Sequence, residues 1–69
     1  MNNLIVSVRT KLNMKQCELA GRTHISPGNL SRYEKGWSRP SLETAKKICK
    51  ELGESIEVIF PNYKFEINN

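Results

Sequence analysis

Prolines at positions 27, 40 and 61 divide the chain into stretches in which no regular element can run far. Proline has no backbone N–H and a fixed φ. It is tolerated at the first position of a helix and breaks one deeper in. Ser26 precedes Pro27, and a serine there can accept a hydrogen bond from the free amides of the following turn. Gly36 follows the next helical stretch, where glycine readily takes the left-handed conformation that ends helices. Pro40-Ser41 opens another segment, with Glu43 in its positively polarised first turn, and Gly53 closes it. Ser55 caps a last short segment and Pro61 stops it.

Between these breaks the apolar residues recur at helical spacing. Leu4, Ile5, Val8 and Leu12 form one stripe, and Leu19, Ala20 and Thr23 a second. Leu42, Ala45, Ile48, Cys49 and Leu52 make the clearest one, and Ile56, Ile59 and Phe60 a short last one. The pattern predicts an all-α domain over residues 1–61, with helices at 3–12, 15–23, 27–35, 42–52 and 56–60. The first segment is open to a second reading, because β-branched Ile5, Val6 and Val8 would also suit a strand. In the tail, residues 62–69, Tyr63, Phe65 and Ile67 alternate with Lys64, Glu66 and Asn68, the pattern of a half-buried strand.

With 69 residues the chain can build one small domain. Its two cysteines, Cys17 and Cys49, form neither a disulfide framework nor a zinc pattern and are expected to be free thiols, Cys49 in the core. No apolar run is long enough to span a membrane, and the start lacks the basic and small-residue pattern of a signal peptide, so a reduced cytoplasm is expected. Charge is unevenly placed. Residues 1–50 carry ten Lys and Arg against three Glu, a balance of +7, whereas residues 51–69 carry one Lys against four Glu, a balance of −3. A basic face points to a polyanionic partner; an ordinary solvated surface is the plainer alternative. Enzyme chemistry is not expected, since there is no nucleophile–base set, no paired carboxylates and no phosphate loop. His24, the one histidine, has no companion ligand or acid and reads as a turn residue in left-handed backbone. Neither a metal, a cofactor nor a small-molecule ligand is implied.

The second and third helices with their tight connection form a helix-turn-helix. QCELA at 16–20, Ser26, LSRYEKG at 30–36, PSL at 40–42 and Lys47-Ile48 together resemble the lambda-repressor-like (Xre, Cro/CI type) helix-turn-helix family, over about residues 4–60. The resemblance implies a five-helix domain that reads the DNA major groove with the helix at 27–35, usually as a dimer. On that helix Leu30 and Tyr33 face inward, while Pro27, Gly28, Ser31, Arg32 and Lys35 lie on the other side.

The resemblance places base-reading residues at Pro27, Gly28, Asn29, Ser31 and Arg32. Pro27 and Gly28 offer no side-chain donor, so the bare first turn lets the backbone come close, and Pro27 can still touch a thymine methyl. Arg32 becomes the main polar reader, its fork matching guanine O6 and N7, with phosphate contact alone as the alternative. Asn29 reads either as a secondary base contact or as a solvent-facing or capping residue. Lys15, Gln16, Ser26, Lys35, Trp37, Ser38 and Arg39 are implied contacts to the sugar-phosphate backbone. Gln16 can also brace the third helix, and Trp37 either packs under its loop, the favoured reading, or lies against the backbone. Lys15 cannot cap the second helix. Gly21 there permits close packing or close DNA approach. Lys46, Lys47 and Lys50 read as a solvated helix face. Arg9 and Glu34 match a structural pair in the family, joining the first helix to the end of the third.

The resulting expectation is a sequence-specific regulator of double-stranded DNA, bacterial or phage-encoded, of repressor type, bound as a homodimer to a palindromic operator. Val58, Tyr63, Phe65 and Ile67 are the expected dimerisation residues, on a net-acidic segment unsuited to phosphate. The alternative is an antitoxin-type module that binds a protein first and DNA second, although such a module usually carries a longer toxin-binding segment than residues 62–69.

Overall fold

The structure, a computed structural model, describes residues 3–61. They form α1 (Ile5–Lys11), α2 (Gln16–Thr23), α3 (Pro27–Glu34), α4 (Leu42–Leu52) and α5 (Ile56–Ile59), with no strand among the described residues. The first segment is therefore helical despite its β-branched residues. The strand expected at 63–67, with Tyr63, Phe65 and Ile67, lies outside the described residues.

Helix α4 is the spine of the fold. It packs against α1, α2 and α5, and α2 in turn packs against α3. Its stripe buries Ala45, Ile48, Cys49 and Leu52, which meet Ile5, Leu19, Leu30, Ile59 and Phe60 in one core. Full burial of a Leu or Ile side chain stabilises by about 1.5–3 kcal/mol, so these few residues supply most of the apolar driving force of so small a domain. Thr23 is buried among them, and its hydroxyl is satisfied by donating to the Leu19 carbonyl at 2.8 Å.

The ends of the helices follow their local chemistry with one exception. Ser26 Oγ accepts from the Asn29 amide at 3.2 Å and Ser41 Oγ from the Thr44 amide at 3.1 Å. Gly53 closes α4 with φ 71°, and Gly36 takes φ 74° just beyond α3. His24 ends α2 in left-handed backbone at φ 57°, as expected of a turn residue. Ser55, expected to cap α5, makes no side-chain cap bond; that helix is a single turn held by the Ile59 and Phe60 amides.

The stripe expected on α1 is only partly inward. Ile5 is buried and Val8 packs against the core, but Leu4 and Leu12 are 42% and 50% exposed. Leu4 and Leu12 flank the seven-residue helix as its N-cap and C-cap, so they fall outside its regular stripe. The core instead takes Met14 from the α1–α2 connection, where Asn13 adopts φ 54° and swings the chain inward. Leu4 N–H bonds the Ile59 carbonyl at 2.8 Å and so ties the start of α1 to α5.

Candidate nucleic-acid interface

Helix α3 shows how its sequence sorts its faces. Leu30 is fully buried and Tyr33 packs partly buried against the core, which fixes the roll of the helix. Pro27, Gly28, Asn29 and Arg32 are exposed together on the outer side, with Ser31 half-buried beside them. Pro27 begins the helix, where its missing N–H costs nothing, and Ser26 caps it. The Asn29 side chain is solvent-exposed and does not cap the helix; its Oδ1 accepts from Arg32 Nη1 at 3.2 Å, one turn on.

The far end of α3 is clamped. Arg9 of α1 donates from Nε to Glu34 Oε2 at 2.9 Å and from Nη2 to Oε1 at 3.4 Å. Gln16, the first residue of α2, donates from Nε2 to the same Oε1 at 2.7 Å. Arg9 Nη1 also donates to the Met14 carbonyl at 2.9 Å. One carboxylate thus joins three helices, and the bracing role of Gln16 is present. Asn3 adds a further tie, Nδ2 donating to the Tyr33 carbonyl at 2.8 Å while its Oδ1 accepts from the Ile5 amide. The Arg9–Glu34 pair is the one the family resemblance implied. The Met14 carbonyl and Asn3 were not legible in the sequence, because backbone acceptors and short-range asparagine turns leave no spacing signal.

The loop after α3 turns sharply. The Trp37 and Ser38 amides both donate to the Arg32 carbonyl, at 2.9 and 3.4 Å. Trp37 does not pack under this loop: it is 73% exposed, and Lys35 Nζ stands 4.5 Å above its ring centre. Among the described residues the contact recorded for the ring is this cation over its face. Lys35 and Arg39 are exposed and Ser38 half-buried on this rim, and Lys15 is exposed at the start of α2. Close packing at Gly21 is excluded, since it is exposed and a Cβ there would meet nothing within 4 Å. Lys46, Lys47 and Lys50 are exposed on α4.

Comparison with known proteins agrees with this geometry. The helix-turn-helix family profile matches residues 5–59. The chain is 40% identical over 60 residues to an uncharacterised HTH-type transcriptional regulator of Archaeoglobus fulgidus, covering 87% of this chain and 84% of that protein. It is 41% identical over 61 residues to another from Methanothermobacter thermautotrophicus, covering 87% and 88%. Among solved structures it is similar to the clp gene regulator ClgR from Corynebacterium glutamicum, with a TM-score of 0.72 and 35% identity. That likeness covers 75% of this chain and 55% of ClgR, so the chain spans little more than half of that protein.

Proposed function

The chain belongs to the helix-turn-helix family, and from that premise we propose a sequence-specific, double-stranded-DNA-binding transcriptional regulator of repressor type, phage or mobile-element in kind. In this reading α3 enters the major groove and Arg32 contacts guanine, with Pro27, Gly28, Asn29 and Ser31 beside it. Lys15, Gln16, Ser26, Lys35, Trp37, Ser38 and Arg39 lie along the sugar-phosphate chains on either side. Two copies bind a palindromic operator, their α3 helices about 34–36 Å apart or a multiple of that. The dimer surface is built from Val58 and the tail residues Tyr63, Phe65 and Ile67.

The observation that carries the reading is the combination on α3 of a locked inner face and an exposed polar outer one. Leu30 anchors the helix at its middle and the Arg9–Glu34–Gln16 clamp at its C-terminal end, and Arg32 stands exposed. A helix held this firmly presents its outer side chains with little further ordering on binding. Selection of binding sites from random duplex DNA, followed by titration at several salt concentrations, tests it. An enriched palindrome whose affinity falls linearly in log–log with salt is expected. Equal binding to all duplexes would leave an unspecific polyanion binder.

A further inference from the structure

Two adjacent residues ahead of α1 reach two other helices. Asn3 Nδ2 donates to the carbonyl of Tyr33, in the last turn of α3, at 2.8 Å. Leu4 N–H donates to the carbonyl of Ile59, the last residue of α5, also at 2.8 Å. Carbonyls in the last turn of a helix find no partner within it. The Tyr33 carbonyl also accepts from the Gly36 amide at 3.1 Å, so Asn3 takes its second lone pair. At the other end of the Asn3 side chain, Oδ1 accepts from the Ile5 amide at 3.1 Å, two residues on, which closes a local turn at the start of α1. The two ends of one side-chain amide thus have separate jobs. The oxygen shapes its own turn, and the nitrogen holds α3.

Glu34, the residue after Tyr33, is held by Arg9 from further along α1. Asn3 and Arg9 therefore grip consecutive residues of α3 from places roughly 9 Å apart at the rise of a helix. A single attachment at the end of a helix is a pivot. A second one, to a separate place, opposes a swing about the first. Resting on the reading of α3 as the helix that enters the groove, we infer that Asn3 is a positioning residue for operator recognition: its side-chain N–H sets the direction of α3, and so the discrimination between sites, without itself reading a base. The lever is long enough to matter. The eight residues of α3 span about 12 Å, so a swing of about 10° at Glu34 moves Pro27, Gly28 and Asn29 by roughly 2 Å. A hydrogen bond to a base edge does not survive such a shift. Phosphate contacts from long, flexible lysine side chains accommodate it.

Asn3→Ser, Asn3→Asp and Asn3→Ala separate the two jobs. A serine hydroxyl can still accept from the amide two residues on, but is too short to reach Tyr33. An ionised aspartate keeps the acceptor and has nothing to donate. Alanine loses both bonds. Each variant and the unaltered full chain are titrated with the operator selected from random duplexes and with an unrelated duplex, at a temperature where circular dichroism shows all of them folded. The readout is the ratio of the two affinities. A smaller folded fraction, or the added charge of aspartate, lowers both affinities alike and leaves the ratio unchanged. A misdirected α3 lowers operator binding alone. The ratio should fall at least roughly fivefold in Asn3→Ser and Asn3→Asp, the lower end of what one bidentate base contact is worth, with binding of Asn3→Ser to the unrelated duplex unchanged. A ratio retained by both variants overturns the inference even if Asn3→Ala loses it, because the turn at α1 would then suffice; α3 remains the reader in that case. An unaltered chain that selects no operator from random duplexes would overturn the sequence-specific function and the inference with it.

Discussion

Arg9 grips Glu34 with two nitrogens, Nε at 2.9 Å and Nη2 at 3.4 Å, and Glu34 is the last residue of α3. The Glu34 side chain is only 5% exposed and that of Arg9 15%. An ion pair so buried offsets its own desolvation only when the remaining lone pairs and N–H groups are also used. Here Gln16 donates to Oε1 on one side and Arg9 Nη1 donates to the Met14 carbonyl on the other. The pair sets where α3 ends relative to α1 and α2, and so couples the fold to the outer face that carries Arg32.

Arg9→Met should destabilise the domain by about 3–5 kcal/mol, because it leaves the Glu34 carboxylate buried with Gln16 alone. Adding Glu34→Leu should recover much of that loss, since a buried ion pair replaced by apolar side chains is often near neutral. Urea unfolding of the single and double variants measures both. A double variant no more stable than Arg9→Met alone would show that the pair contributes through more than its charge.

Replacing Arg32 with alanine should weaken binding to the selected operator by roughly 1–3 kcal/mol and relax the preference at one base pair in each half-site. The fold should be unaffected, since the side chain is exposed and among the described residues its recorded bond is to Asn29. Competition titrations with single-base operator variants resolve this. Uniform weakening across all of them would assign Arg32 to phosphate.

For Lys15→Ala and Arg39→Ala the expected result is different. Each should weaken binding to every duplex alike and flatten the slope of log affinity against log salt by about one unit. An unaltered slope would remove that residue from the phosphate contacts.

What could be read ahead was the local chemistry. The stripe of α4, the Ser26 cap, the start of α4 after Pro40-Ser41 and the left-handed Gly36 and Gly53 each depend on a few adjacent residues, so one stretch of sequence contains the whole cause. The faces of α3 were legible for the same reason, since Leu30 and Tyr33 lie one turn apart. Leu12 is exposed and Met14 buried because the helix ends at Leu12 and the chain turns through left-handed Asn13, a local bend that helical spacing does not contain. Trp37 follows the same rule. An aromatic ring is expected inside, but among the described residues the ring stands outside with Lys35 over its face. In the candidate interface the identities of the exposed residues were legible, whereas the bond that occupies Asn29 depends on the rotamers of two flexible side chains.

Cys49 gives the domain a dependence on alkaline pH. Burial, and secondarily the Glu57 carboxylate, pushes its thiol from 9.0 up to about 11. The folded chain therefore holds this proton more tightly than the unfolded one. That contribution to stability is complete below about pH 9 and is lost as pH rises towards about 11. Urea midpoints should fall across this window more steeply for the unaltered chain than for Cys49→Ala, in which the other alkaline groups are the same. Parallel slopes would mean that the thiol does not contribute. In thiol labelling of the folded protein, exposed Cys17 should react and Cys49 should remain protected until unfolding.

The proposed homodimer makes the sharpest demand on the end of the chain. One copy of α3 offers few base contacts, and two copies on one face of the DNA multiply both affinity and discrimination. The self-association surface must lie away from α3 and from phosphate. Val58 on α5 is 41% exposed and Leu4 is 42% exposed, at a junction closed by the Leu4–Ile59 backbone bond. The net-acidic segment from residue 51 onward continues from there into Tyr63, Phe65 and Ile67. Deleting residues 62–69 should therefore convert a dimer into a monomer in sedimentation or light scattering. It should also lower affinity for a palindromic operator much more than for a single half-site. Val58→Lys in the full chain should act in the same direction without touching the tail, by placing a charge in an apolar contact. A truncated chain that still dimerises and binds the palindrome as tightly as the full one would exclude the tail from the interface.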